Sequence, residues 1–86
     1  MRIVFSKHAD NKFEVLARHG WKIERSKVEE AVQDPVTLDY SRLPLIIVQT
    51  SLDETHVFRV VYREDGDVIF IITFYPGRIT QYGNSQ

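Results

Sequence analysis

The amino-acid sequence predicts an α+β fold in which two N-terminal helices pack on one face of a mainly antiparallel sheet, in the order β-α-α-β-β-β-β. Three observations carry that expectation. Residues 57–75 read VFRVVYREDGDVIFIITFY, two β-prone runs joined across Asp65-Gly66, a dipeptide that favours a two-residue hairpin turn. Residues 7–32 repeat apolar side chains at helical spacing in two blocks. At Asp34-Pro35 the helical pattern stops, because a residue before proline avoids the α region, and β-prone segments then follow one another.

Each element has its own signal. MRIVF at residues 1–5 is a short apolar strand, and Ser6 after it is an N-cap. Ala9, Phe13, Leu16 and Ala17 share one face of a helix over residues 7–19, with Gly20 as its left-handed C′ residue. Trp21 and Ile23 lie in the connection, where large apolar side chains close the end of a small core. Ser26-Lys27-Val28-Glu29 has the form of a capping box, and Val28, Ala31 and Val32 continue it as a short second helix that needs the sheet to persist. Residues 36–40 and 45–50 are strands separated by Ser41-Arg42-Leu43-Pro44, and residues 51–55 form a polar turn. The expected organisation is one domain over residues 1–82 and a loose tail over 83–86.

With Asp65 and Gly66 as the loop of a type I′ turn, the hairpin pairs Tyr62 with Ile69, Val60 with Ile71 and Arg59 with Ile72. One face then carries His56, Phe58, Val60, Tyr62, Ile69, Ile71, Thr73 and Tyr75, without formal charge, and is expected to meet the helices. The other carries Val57, Arg59, Val61, Arg63, Val68, Phe70, Ile72 and Phe74. Burying an unpaired guanidinium costs several kcal/mol, so the arginine-bearing face is where a ligand or partner is expected.

Composition narrows the function. A chain of 86 residues buries only roughly 60 to 65% of its unfolded surface, so its core is economical or completed by a partner. It has no cysteine, no apolar run long enough to span a bilayer and no signal-peptide h-region at its start, which points to a cytoplasmic protein without membrane contact. The net charge of −1 is not that of a strongly basic nucleic-acid binder. Yet residues 1–30 hold seven of the eleven basic side chains, and no lysine follows Lys27. No metal or cofactor is expected: His8, His19 and His56 fit no ligand spacing.

The candidate functional residues are few. Arg59, deep in its strand, either snorkels towards Asp53 or Glu54 or meets a ligand; Arg63, beside the turn, has the same choice nearer to solvent. His8 stands in the first helical turn, where the helix dipole disfavours positive charge and suits a neutral base. His19, in the last turn, suits the dipole. After a Pro76-Gly77 turn, Arg78 and Tyr82 place a guanidinium and a stackable ring beyond the sheet.

His8-Ala9, Arg18 and Gly20, the short acidic helix ending at Asp34-Pro35, the FRVVYRE strand and the final VIFIITFYPGR together resemble small prokaryotic domains of unknown function grouped with BrnT and, more remotely, with RelE/ParE-type toxins. The resemblance covers about residues 4–78. It implies a RelE-like sheet with helices on one side, and the toxin of a toxin-antitoxin pair acting as a metal-independent ribonuclease on mRNA. Its implied partners are an antitoxin protein and RNA. It implies Arg59, Arg78 and His8 as catalytic residues and Tyr82 as an RNA-binding residue, to which the hairpin adds Arg63. The alternative is a non-enzymatic interaction module of the same fold, binding a protein partner or forming a homodimer through the apolar part of the open face, Val57, Val61, Phe70 and Phe74.

Overall fold

The computed structural model describes residues 2–82; the tail expected over 83–86 lies outside them. Strand β1 (Arg2–Phe5) delivers the chain to Ser6, whose hydroxyl accepts from the Ala9 N–H at 3.0 Å and starts helix α1 (Lys7–Arg18). At the other end Gly20, at a φ of 87°, closes the helix as expected. Its N–H donates to the Ala17 carbonyl and the Trp21 N–H to the Leu16 carbonyl, the paired bonds of a Schellman closure.

Helix α2 (Arg25–Gln33) corrects the expected capping box. Its N-cap is Glu24, with no side-chain cap bond, and Ser26 lies inside the first turn. Tertiary contacts position the start instead: Arg25 donates to Asp10 at 2.6 Å and lays its guanidinium 4.3 Å over the Phe5 ring. Strands β2 (Thr37–Arg42), β3 (Leu45–Ser51), β4 (His56–Asp65) and β5 (Val68–Arg78) follow, and a single-turn helix α3 (Ile79–Tyr82), absent from the sequence expectation, ends the described chain.

The five strands form one sheet in the order β1-β5-β4-β3-β2, antiparallel except for the parallel β1–β5 pair. Leu16 and the α2 residues Val28, Ala31 and Val32 are buried against Ile46, Val48, Phe58, Val60, Ile69 and Ile71, with Phe13 half-buried against them, as the periodicity predicts. None of the described helices is long and apolar enough to cross a membrane.

The hairpin register differs from the expectation in two steps. The loop residues are Gly66 and Asp67, since Asp65 pairs with Val68. Of the two only Gly66 has a positive φ, 62°, which makes the turn type II′ rather than I′. A type I′ turn would need Asp65 at positive φ; the observed one places that demand on glycine alone. Pairing then runs Tyr62 to Ile71 and resumes as Val61 to Thr73, leaving Ile72 as the extra residue of a β-bulge. Ser6 secures the bulge by donating its hydroxyl to the Ile72 carbonyl at 3.0 Å.

Beyond the bulge the faces exchange. Phe74, expected on the open face, is fully buried beside Phe13, their ring centroids 4.7 Å apart, and beside Phe58. Thr73 and Tyr75, expected among the helices, move to the open face, and Arg59 lies opposite Tyr75 rather than Ile72. The Pro76-Gly77 pair is no turn but part of β5, where Pro76 pairs with Phe58. Strand β1 has ended at the level of Ile71, so the missing N–H of Pro76 deprives no neighbouring strand.

Candidate anion-binding site on the open face

Arg59 stands at the centre of the open face, on β4 between β3 and β5. Its register neighbours are Gln49 on β3 and Tyr75 on β5, and antiparallel partners share a face. The guanidinium uses both: Nε donates to the Tyr75 hydroxyl at 3.2 Å and Nη1 to Gln49 Oε1 at 2.5 Å. The Tyr82 ring stacks over it, 4.2 Å from Cζ to the ring centroid. Nη2 has no partner among the described residues, and no carboxylate there comes within ion-pair distance of Arg59.

Two sequence features build the Tyr82 seat. Gly77 lies in extended backbone without positive φ, so its lack of a side chain is not a conformational need. A Cβ there would overlap the edge of the Tyr82 ring. Helix α3 turns the chain back so that this ring lies on Gly77 and 6.2 Å from the Tyr75 ring. The Ile79 N–H, at the start of that turn, donates to the Thr55 carbonyl.

Asp39 on β2 feels Arg59 without touching it. Its carboxyl is held below its ordinary 3.8 first by the Ser41 hydroxyl and then by the Ser41 N–H at 2.8 Å, with the positive fields of Arg59 and Arg42 adding to them and burial opposing. The arrangement is therefore a cation oriented by neutral groups, with donor capacity left for an anion. A guanidinium offers a planar donor fork that matches the oxygens of carboxylate or phosphate, and two tyrosine rings stand beside it.

The other expected site residues scatter. Arg63 is exposed and lays its guanidinium over the Phe70 ring, 4.4 Å from the centroid. His8 reaches around the β5 edge, Nε2 lying 3.2 Å from Thr73 Oγ1, two residues along the strand from Tyr75. Arg78 pairs with His56, which alternation places on the helix-bearing face, opposite to Arg59. Asp53, a candidate counter-ion for Arg59, instead accepts from Thr55 and faces His56.

Gln49 and Tyr75 were not foreseen. Gln49 had one signal, a lone amide ending the apolar run Leu45-Ile46-Ile47-Val48; Tyr75 had none, because the bulge reverses its face. Among the described residues no three His, Cys, Asp or Glu side chains gather as a metal site would require. No protein-family model, no curated protein and no solved structure matches the chain.

Proposed function

We propose that the open face holds the phosphodiester backbone of RNA at Arg59, and that the chain is a metal-independent endoribonuclease, the toxin of a toxin-antitoxin pair. The observation that supports this reading is the state of Arg59: half-buried, oriented by Gln49, Tyr75 and Tyr82, and without a carboxylate partner among the described residues. Desolvating a guanidinium is costly, and an incoming phosphate offsets that cost. Arg59 then stabilises the charge that develops on the phosphate, the Tyr75 and Tyr82 rings contact bases, and Arg63 meets the backbone at the rim. His8 at the β5 edge takes the proton-transfer role.

The test is induced expression in cells that lack any antitoxin, followed by inspection of their mRNA. Wild type is expected to arrest growth and cleave RNA, and Arg59→Ala to do neither while unfolding cooperatively at a similar temperature. Arg59→Lys keeps the charge but not the planar fork, and is expected to retain little activity. Wild type that neither slows growth nor cleaves RNA overturns the reading.

A second reading, protein binding without catalysis, draws support from a different surface than the sequence suggests. Val57 and Val61 of the open face are buried, Phe74 is in the core and the half-buried Phe70 lies under the Arg63 guanidinium, so the four do not form the expected apolar patch for a partner or a second copy. Among the described residues, four of the five exposed large apolar side chains lie instead on and beside the edge strand β2, Val36 at 45%, Leu38 at 44%, Tyr40 at 54% and Leu43 at 65% exposure, the fifth being Val15 on α1. An uncovered edge with apolar side chains suits strand addition by a protein partner such as an antitoxin.

A further inference from the structure

We propose that Arg78 and the imidazole of His56 form a second anion site, for an ionised phosphate ester, on the helix-bearing face, with Asp53 as the positioning residue that orients the imidazole. This inference does not depend on Arg59, which lies on the other side of the sheet.

The site begins in the turn between β3 and β4. The Thr55 N–H donates to Asp53 Oδ1 at 2.9 Å, the Thr55 hydroxyl donates to the same oxygen at 3.2 Å, and His56 Nδ1 faces it at 3.0 Å. The Asp53 carboxyl is held below its ordinary 3.8, chiefly by the Thr55 N–H and further by His56, so it is ionised at neutral pH. Nδ1 also lies 2.8 Å from the Thr55 hydroxyl, whose own proton goes to Asp53. An ionised carboxylate only accepts, so in the neutral imidazole a proton on Nδ1 serves both oxygens and the lone pair is left on Nε2. Nε2 has no partner among the described residues, where every fully buried side-chain nitrogen and oxygen has one, so it is not fully buried. Trp21 sets the tilt of the imidazole by an edge contact, the ring centroids 4.7 Å apart at 70°.

Arg78 completes the site. It is the last residue of β5 and lies directly across from His56, and such pairs hold their Cβ atoms about 4.5 to 5.5 Å apart on one face. It is exposed and has no ion pair or ring contact among the described residues. An unengaged donor fork is thus carried by the residue paired with an oriented imidazole. The fork takes two phosphate oxygens, and the imidazole takes a third as a donor when protonated or accepts from a P–OH when neutral. The remaining charges nearby are mixed. Lys27 on α2 donates to the Ser51 carbonyl at 3.2 Å, Lys22 and Glu24 flank the Trp21 connection, and Glu54 lies in the turn beside Asp53.

Trp21 is the only tryptophan of the chain and reports on the site directly. Its emission is followed while inorganic phosphate, and separately uridine 3′-monophosphate, is added to the intact protein at pH 6 and pH 8. Expected is a saturable change with both probes at either pH, weakened at least tenfold by Arg78→Ala and lost in His56→Ala. Asp53→Asn is expected to weaken it several-fold and Arg59→Ala to leave it unchanged. Arg78 is exposed, so its alanine variant folds, and a thermal melt verifies this. A non-saturating response, binding that survives Arg78→Ala, or binding abolished by Arg59→Ala would each overturn the proposal.

Discussion

Substituting Gly77 by alanine tests how Tyr82 is seated over Arg59, through an effect whose sign depends on the background. In the wild type the new methyl group would overlap the Tyr82 ring, which must move because the opposing strand backbone cannot. Two contacts are lost: the stack over Arg59, worth about 0.5 to 1 kcal/mol in a partly exposed setting, and the ring contact with Tyr75, worth about 0.5 to 1.5 kcal/mol. Against this, glycine in a strand interior is the weaker choice by about 0.5 to 1 kcal/mol, which alanine recovers where the backbone permits it. The φ of Gly77 is not positive, so the backbone does permit it. The expected net effect of Gly77→Ala is a destabilisation of about 1 kcal/mol. In a Tyr82→Ala background the obstacle is gone, and the same substitution is expected to stabilise by about 0.5 kcal/mol or more. Urea denaturation of the four proteins of the cycle measures both. An equal effect of Gly77→Ala in the two backgrounds would refute the reasoning, because it would mean that Tyr82 does not rest on Gly77.

Three further outcomes follow from the packing and the turns. Leu16, 7% exposed, anchors α1 on the sheet, and Leu16→Ala is expected to cost about 2 to 5 kcal/mol by urea denaturation. Gly66→Val is expected to cost about 1 to 3 kcal/mol through the backbone alone, since a side chain at Gly66 meets nothing within 4 Å while its φ of +62° resists a β-branched residue. An unchanged melting temperature there would exclude the type II′ turn. The Asp53 carboxyl has a folded pKa below its ordinary 3.8, so the stability it contributes is present above that pH and lost as pH falls through the folded value. Wild type is therefore expected to lose stability relative to Asp53→Asn on acidification below about pH 4, in melting curves recorded from pH 5 to pH 2.

The sequence by itself determined what depends on period and on local backbone chemistry. Ser6 and Gly20 bound α1 because a hydroxyl cap and a left-handed C′ residue act within a few residues, and the apolar repeats of α1 and α2 name the core side chains whatever the sheet register, except Ala17, which the structure leaves exposed at the end of α1. The β4–β5 hairpin was legible for the same reason. Its register was not, since Asp65-Gly66 and Gly66-Asp67 are both acceptable two-residue loops that differ only in which residue takes positive φ. The choice belongs to tertiary structure: the bulge at Ile72 lets Ile71 and Phe74 both enter the core, and Ser6, 66 residues away in sequence, satisfies the carbonyl it displaces. That one extra residue moves Tyr75 to the open face. The Arg59 site is consequently a product of the assembled sheet, built from Gln49 on one neighbouring strand, Tyr75 on the other, and Tyr82 returned over Gly77 by α3. Side-chain periodicity identifies a face, but only strand pairing determines which side chains meet across it.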